Sequence, residues 1–144
     1  MLPRNEVLAL LFVADTWRER GTEVREHGPA ALRALAGLDL ERSLYVCEVR
    51  TVAADGLWLS PCRERPTVAF HFTWINDDEA VAAVETALAH LDARPHWAKV
   101  FRMPPERLQA HYPDLPGFRT LAKRHDPDRK FGNPFLARYV YTQN

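Results

Sequence analysis

The sequence predicts an α+β fold, an antiparallel sheet covered by helices on one face, and three observations lead there. Two stretches, Leu44 to Val52 and Thr67 to Trp74, alternate apolar and polar residues with period two. Two others, residues 29–38 and the segment after Asp77, carry apolar residues at helical three-and-four spacing. The 144 residues, 47% hydrophobic and 26% charged, have ordinary globular composition and a length suited to one core, at roughly 100 to 200 residues per domain.

Element by element, EVLALLFVADTW near the start reads more easily as helix than as strand, and residues 1–22 form a divergent segment before a domain of residues 23–144. In residues 29–38, Leu32, Leu35 and Leu38 share a helical stripe that Gly37 and Asp39 can end. From Leu44, alternation puts Tyr45, Cys47, Val49 and Thr51 on one face, and Val46, Glu48 and Arg50 on the other. Ala54-Asp55-Gly56 signals a turn before a short strand LWLS, and Pro61 to Pro66 is a polar connection. In the next strand Val68, Phe70, Phe72 and Trp74 form an apolar face, with Ala69, His71 and Thr73 behind it. Asn76 or Asp77 caps a helix whose Val81, Val84, Leu88 and Leu91 make a buried stripe, while Asp78 and Glu79 suit its positive end. Residues 95–101, PHWAKVF, read as a strand. Pro104-Pro105 opens a short helix, Leu115 to His125 supplies the last, and the tail after Asp126-Pro127 reads as loop.

Several function classes drop out. Nineteen basic and 19 acidic residues balance to zero, so no whole-chain field draws a nucleic acid or an anionic membrane. The longest apolar stretch, Val7 to Ala14, is far shorter than the ~20 residues a spanning helix needs. It is not followed by a small-residue cleavage site, and a cytoplasmic protein is expected. Glycines never occur as GxG, and Ser43 and Ser60 lie in no GxSxG elbow, which removes nucleotide loops and the commonest hydrolase signature. Cys47 and Cys62 form neither a CxxC nor a Cys/His cluster, and no metal site is expected.

Chemistry is concentrated on one predicted face. Glu48 and Arg50 stand at i and i+2, as do His71 and Thr73, so pairing of their strands would gather four polar groups. Lys99, between Trp97 and Phe101, would add an ammonium beside apolar walls. The plain alternative is an exposed Glu48–Arg50 pair on a solvated sheet face. His27, His90, His96, His111 and His125 read as surface residues. Residues 116–144 hold six basic and two acidic residues; a solvated surface accounts for them, and an anionic partner or a cofactor phosphate is the other reading.

Four segments, EVRTVAADGLWLSP, VAFHFTW, RPHWAKVF and HDPDRKFGNPFL, resemble in that order the C-terminal substrate domain of alditol (xylitol) oxidases. These are flavoproteins of the vanillyl-alcohol-oxidase type, and they share this region with D-arabinono-1,4-lactone oxidases. The resemblance runs from about residue 24 to 140. It implies that Glu48, Arg50, His71, Thr73 and Lys99 hold a polyol or sugar lactone against the ring of FAD. Hydride would pass from a carbinol carbon to flavin N5, and oxygen would be reduced to hydrogen peroxide. By the same resemblance, Arg50 and Lys99 would stabilise alkoxide charge, Glu48 would bind hydroxyls or accept a proton, and His71 and Thr73 would orient the chain.

Cys47 stands where a serine is usual in that family, and Ala98 where a glycine is usual. The FAD-binding domain of the family has no counterpart in this sequence, so cofactor-binding residues are not assignable and FAD is not expected to bind stably to this chain alone. Two expectations follow. One is the substrate half of an oxidase, active when a chain bearing the FAD domain docks on it. The other is a non-catalytic remnant or interaction module that keeps the fold. A truncated gene product, a rearranged start or one chain of a split enzyme would account for the missing domain. A sheet face built to meet another domain also predicts homo-oligomers through an apolar rim around Trp97, Phe101 and the tail.

Overall fold

A computed structural model describes residues 6–14, 27–75 and 77–142. Of the sequence expectations, Asn76 as a cap and the course of residues 1–5 and 15–26 lie outside them. Two compact units divide the chain in place of the single expected core: one runs to Asp55 and resumes over residues 61–102, and the other comprises residues 56–60 and 103 onwards.

The first unit is built on a four-stranded antiparallel sheet of order β2-β3-β1-β4, its strands being β1 (Glu6–Ala14), β2 (Leu44–Val52), β3 (Thr67–Ile75) and β4 (Arg94–Pro95). Helices α1 (His27–Ala36) and α2 (Asp78–Leu88) pack on one face. The apolar side of β3 makes that core: Phe70 and Trp74 are 0% exposed, Phe72 is 1% exposed, and they meet Ala31 of α1 and Val81, Val84 and Leu88 of α2. Phe72 stacks on Trp74 with ring centroids 5.2 Å apart, an offset arrangement that aromatic quadrupoles favour. Asp77 starts α2, its carboxylate accepting from the Glu79 and Ala80 amides at 3.0 and 3.2 Å and so satisfying two of the donors a helix start leaves open. The α+β class with helices on one face is what the sequence predicted.

Three elements differ from expectation. Residues 6–14 form a strand, not a helix, paired along its whole length with β3 from Glu6↔Ile75 to Ala14↔Thr67 and also with β4. A continuous apolar run fits a buried helix and a strand paired on both edges equally well, and only the neighbours decide. LWLS is a turn, closed by the Ser60 amide donating to the Leu57 carbonyl at 3.0 Å. The predicted strand at residues 95–101 shrinks to Arg94–Pro95, because Pro95 has no N–H to continue a ladder. The chain then turns, the Lys99 amide donating to the His96 carbonyl at 3.1 Å.

The second unit carries α3 (Pro105–Ala110), α4 (Leu115–His125) and two C-terminal helical turns, Pro134–Leu136 and Ala137–Tyr141. The tail is therefore not a loop: the Asn133 side chain caps it by accepting from the Leu136 amide at 2.8 Å, with Pro134 in the first turn. Met103, Leu108, Tyr112, Leu115, Tyr139 and Val140 are its buried residues. Arg119 of α4 donates to the Val140 and Thr142 carbonyls and ties that turn down. Gly117 lets the Trp58 ring approach, since a Cβ there would lie 3.3 Å from it. Among the described residues, no helix is long and apolar enough to cross a membrane.

Candidate functional site

Pairing of β2 with β3 sets Glu48 opposite His71, Arg50 opposite Ala69 and Val46 opposite Thr73. Because Phe70, Phe72 and Trp74 point into the helix-covered core, alternation sends His71 and Thr73 to the other face, beside Glu48 and Arg50. That face is partly covered at one end, where Cys62 packs against Ala69 and Val52. Toward Thr73 it is open: Glu48 and Arg50 are exposed, and His71 and Thr73 are half-buried.

Glu48 is the hub. Its Oε1 accepts from Arg50 Nη2 at 2.7 Å, and its Oε2 lies 2.7 Å from His71 Nδ1. The bond to His71, then the bond to Arg50, holds the Glu48 carboxyl below the usual glutamate range. An ionised carboxylate has no proton to give, so Nδ1 of His71 must carry the shared one. In the neutral ring this leaves the lone pair on Nε2. Thr73 adds a hydroxyl two residues further along the same face.

Lys99 does not sit on the sheet. It lies in the turn after β4, and its ammonium makes no hydrogen bond or ion pair among the described residues. The link to the sheet is His96, which sequence reasoning had placed at the surface. His96 is half-buried, and its Nδ1 accepts from the Ala98 amide at 3.0 Å. Burial first, then the charges of Lys99 and His71, pushes the His96 pKa down. The neutral ring therefore carries its proton on Nε2. Read as a strand, residues 95–101 would send His96 and Lys99 to opposite faces; the turn is what associates them. Its place within RPHWAKVF was the only sequence signal.

Two further expectations meet the structure here. Trp97 and Phe101 are half-buried, so they make no exposed rim, and the more exposed apolar side chains include Tyr45, Val46, Val49 and Phe131. Within the basic C-terminal stretch, Arg119, Lys123 and Arg129 line a cavity of about 290 Å³ with Asp126 and Tyr141. His111 is likewise half-buried, not a surface residue.

Known proteins resemble most of this chain. The family model described as D-arabinono-1,4-lactone oxidase matches residues 22–139. An alditol oxidase of Streptomyces sp. is 50% identical over 115 residues, 74% of this chain and 28% of the relative. An L-gulono-1,4-lactone dehydrogenase of Mycobacterium tuberculosis is 33% identical over 122 residues, 81% of this chain and 28% of the relative. L-gulonolactone oxidase of Bos taurus is 28% identical over 104 residues, 67% of this chain and 24% of the relative. The chain thus spans under a third of the length of the curated relatives it matches.

Proposed function

Since the chain belongs to the D-arabinono-1,4-lactone oxidase family, we propose that it is the substrate-holding portion of an FAD-dependent oxidase of alditols or sugar 1,4-lactones, with residues 23–144 as that domain. The observation that carries the reading is the Glu48 carboxylate, fixed by Arg50 and His71 on an open sheet face beside Thr73. A polyol presents a row of hydroxyls that are both donors and acceptors, and this row of carboxylate, guanidinium, imidazole and hydroxyl complements it.

The residues fit one side of the cofactor only. A face of polar groups open to one side suits a substrate pressed against a flat ring, whereas the chain has no glycine-rich loop to cradle phosphates. When bound, FAD supplies the hydride acceptor for oxidation of a carbinol, with oxygen as the final acceptor. This chain's residues then have the following tasks. Glu48, ionised and occupied on both oxygens, accepts hydrogen bonds from substrate hydroxyls and is a poor base. His71, with its tautomer set by Glu48, takes the carbinol proton at Nε2. Arg50 and Lys99 stabilise the charge that builds on that oxygen, and Thr73 orients the carbon chain.

The second reading is a non-catalytic module that keeps the fold and a polyol-binding face, since Glu48, Arg50, His71 and Thr73 can hold hydroxyls without a cofactor. Pull-down of the chain from its native cells separates the two, with the eluate read for flavin absorbance and for peroxide on xylitol and on a sugar 1,4-lactone. A yellow eluate containing a second chain and forming peroxide is expected, and Lys99→Met in that assembly should lower turnover. A colourless eluate of this chain alone would overturn the oxidase reading.

A further inference from the structure

His96 closes the turn that carries Lys99, with its ring and with its backbone. Its Nδ1 accepts from the Ala98 amide at 3.0 Å, and its carbonyl accepts from the Lys99 amide at 3.1 Å. Turns usually rely on glycine, proline, serine, asparagine or aspartate, and the last two use their side chains to accept from the backbone N–H two residues on. His96-Trp97-Ala98-Lys99 contains none of these residues. The imidazole takes the part that an asparagine or aspartate side chain plays in such a turn.

The same residue is aligned with the polar face. Leu11 of β1 pairs with Phe70 of β3 and with Pro95 of β4, and both of those partners are buried. One residue further, in the same chain direction, come His71 and His96, which alternation sends together to the face opposite the helices. They stand two strand spacings apart, about 10 Å. A continued strand would carry Lys99 to the far side, and the turn is what brings it back to His96.

We propose that His96 is a positioning residue for Lys99: the neutral imidazole, by accepting from the Ala98 amide, holds the ammonium beside the Glu48–His71 face, and the imidazolium releases it. In the imidazolium both ring nitrogens are donors, so Nδ1 meets the Ala98 N–H with a proton of its own. Among the described residues, His96 faces the charges of Lys99 in its own turn and His71 on β3. Arg94 precedes it on the same face of β4, and the one titratable residue of β1 is Glu6, at the start of that strand opposite Ile75. Burial first, then Lys99 and His71, favours the neutral ring. The consequence for turnover rests on the oxidase reading, whereas the turn itself does not.

Two readouts keep these apart. In the chain alone, the Ala98 amide signal should shift as pH falls, with the same midpoint as the His96 ring. His96→Asn keeps an acceptor at the equivalent place without a titrating ring, so it should flatten that curve and leave the high-pH position near native. His96→Ala should show a displaced signal at every pH. An Ala98 amide that ignores the His96 titration overturns the proposal, as does a His96→Asn chain that behaves like His96→Ala. In the peroxide-forming assembly, His96→Ala should lower kcat by about tenfold with KM nearly unchanged, the fold-change of one ordinary hydrogen bond. His96→Asn should restore most of it. On a Lys99→Met background, His96→Ala should cost nothing more, because its effect passes through Lys99. Fully additive losses would overturn the positioning role. An assembly without activity would refute the oxidase reading alone, and the Ala98 curve would still decide for or against the turn.

Discussion

Truncating Phe72 to alanine tests whether the buried side of β3 is what holds the polar side in place. Phe72 is 1% exposed, lies between His71 and Thr73 in sequence, and stacks on Trp74. A buried aromatic removes ~150–250 Å² from water, and taking about 170 Å² at ~25 cal/mol per Å² gives about 4 kcal/mol. A compact denatured state lowers that to about 3 kcal/mol. Loss of the stacked pair restores ~0.5–1.5 kcal/mol, so the expected cost is about 4 kcal/mol, within the ~3–5 found for Phe→Ala in cores. With a urea slope of about 2 kcal/mol per molar, the unfolding midpoint should fall by about 2 M. Fluorescence is a suitable probe, since Trp74 lies in the same core. The control is Phe131→Ala, at a side chain 82% exposed, where the change should stay within about 0.5 kcal/mol. If Phe72→Ala moved the midpoint no further than Phe131→Ala, the account of the core would be wrong.

Two titrations probe the polar face. Because the bond to His71 is the first cause of the lowered Glu48 pKa, His71→Ala should raise it toward the ordinary range in a carboxyl ¹³C titration; an unchanged value would sink the hub assignment. A carboxyl depressed on folding contributes stability above its unfolded pKa and loses it as pH falls through the folded one, so His71→Ala should flatten the acid limb of the stability curve. For His96 the folded pKa is also depressed, through burial first and then Lys99 and His71. Below the ordinary histidine pKa the unfolded chain binds a proton that the folded chain resists, so stability falls as pH drops through that pKa toward the depressed folded one and is flat above. His96→Gln should remove that part of the slope, and Lys99→Met should raise the His96 pKa in a ring-proton titration. No movement of His96 on losing Lys99 would break the association of the two side chains in the turn.

How much of this was legible in the sequence depends on the range of the interaction. Glu48, Arg50, His71 and Thr73 were assignable to one face because strand periodicity is a local property, and the pairing of β2 with β3 then joined the two halves. The start of α2 was equally plain, since Asp77, Asp78 and Glu79 carry a cap and a dipole signal within three residues. Lys99 was identified as a residue but given the wrong setting, because Pro95 ends the ladder that its strand assignment required.

By itself, the sequence determined the α+β class, the two faces of β2 and β3, the helices that cover one of them, and the family likeness. All of these rest on patterns contained within one segment. Tertiary structure decided that residues 6–14 are a strand, because an apolar run without a period takes its form from whatever edges are offered to it. It also decided that His96 lies in the turn with Lys99, and that β3 lies between β1 and β2. Those outcomes depend on hydrogen bonds between residues far apart in the chain, which no local spacing encodes.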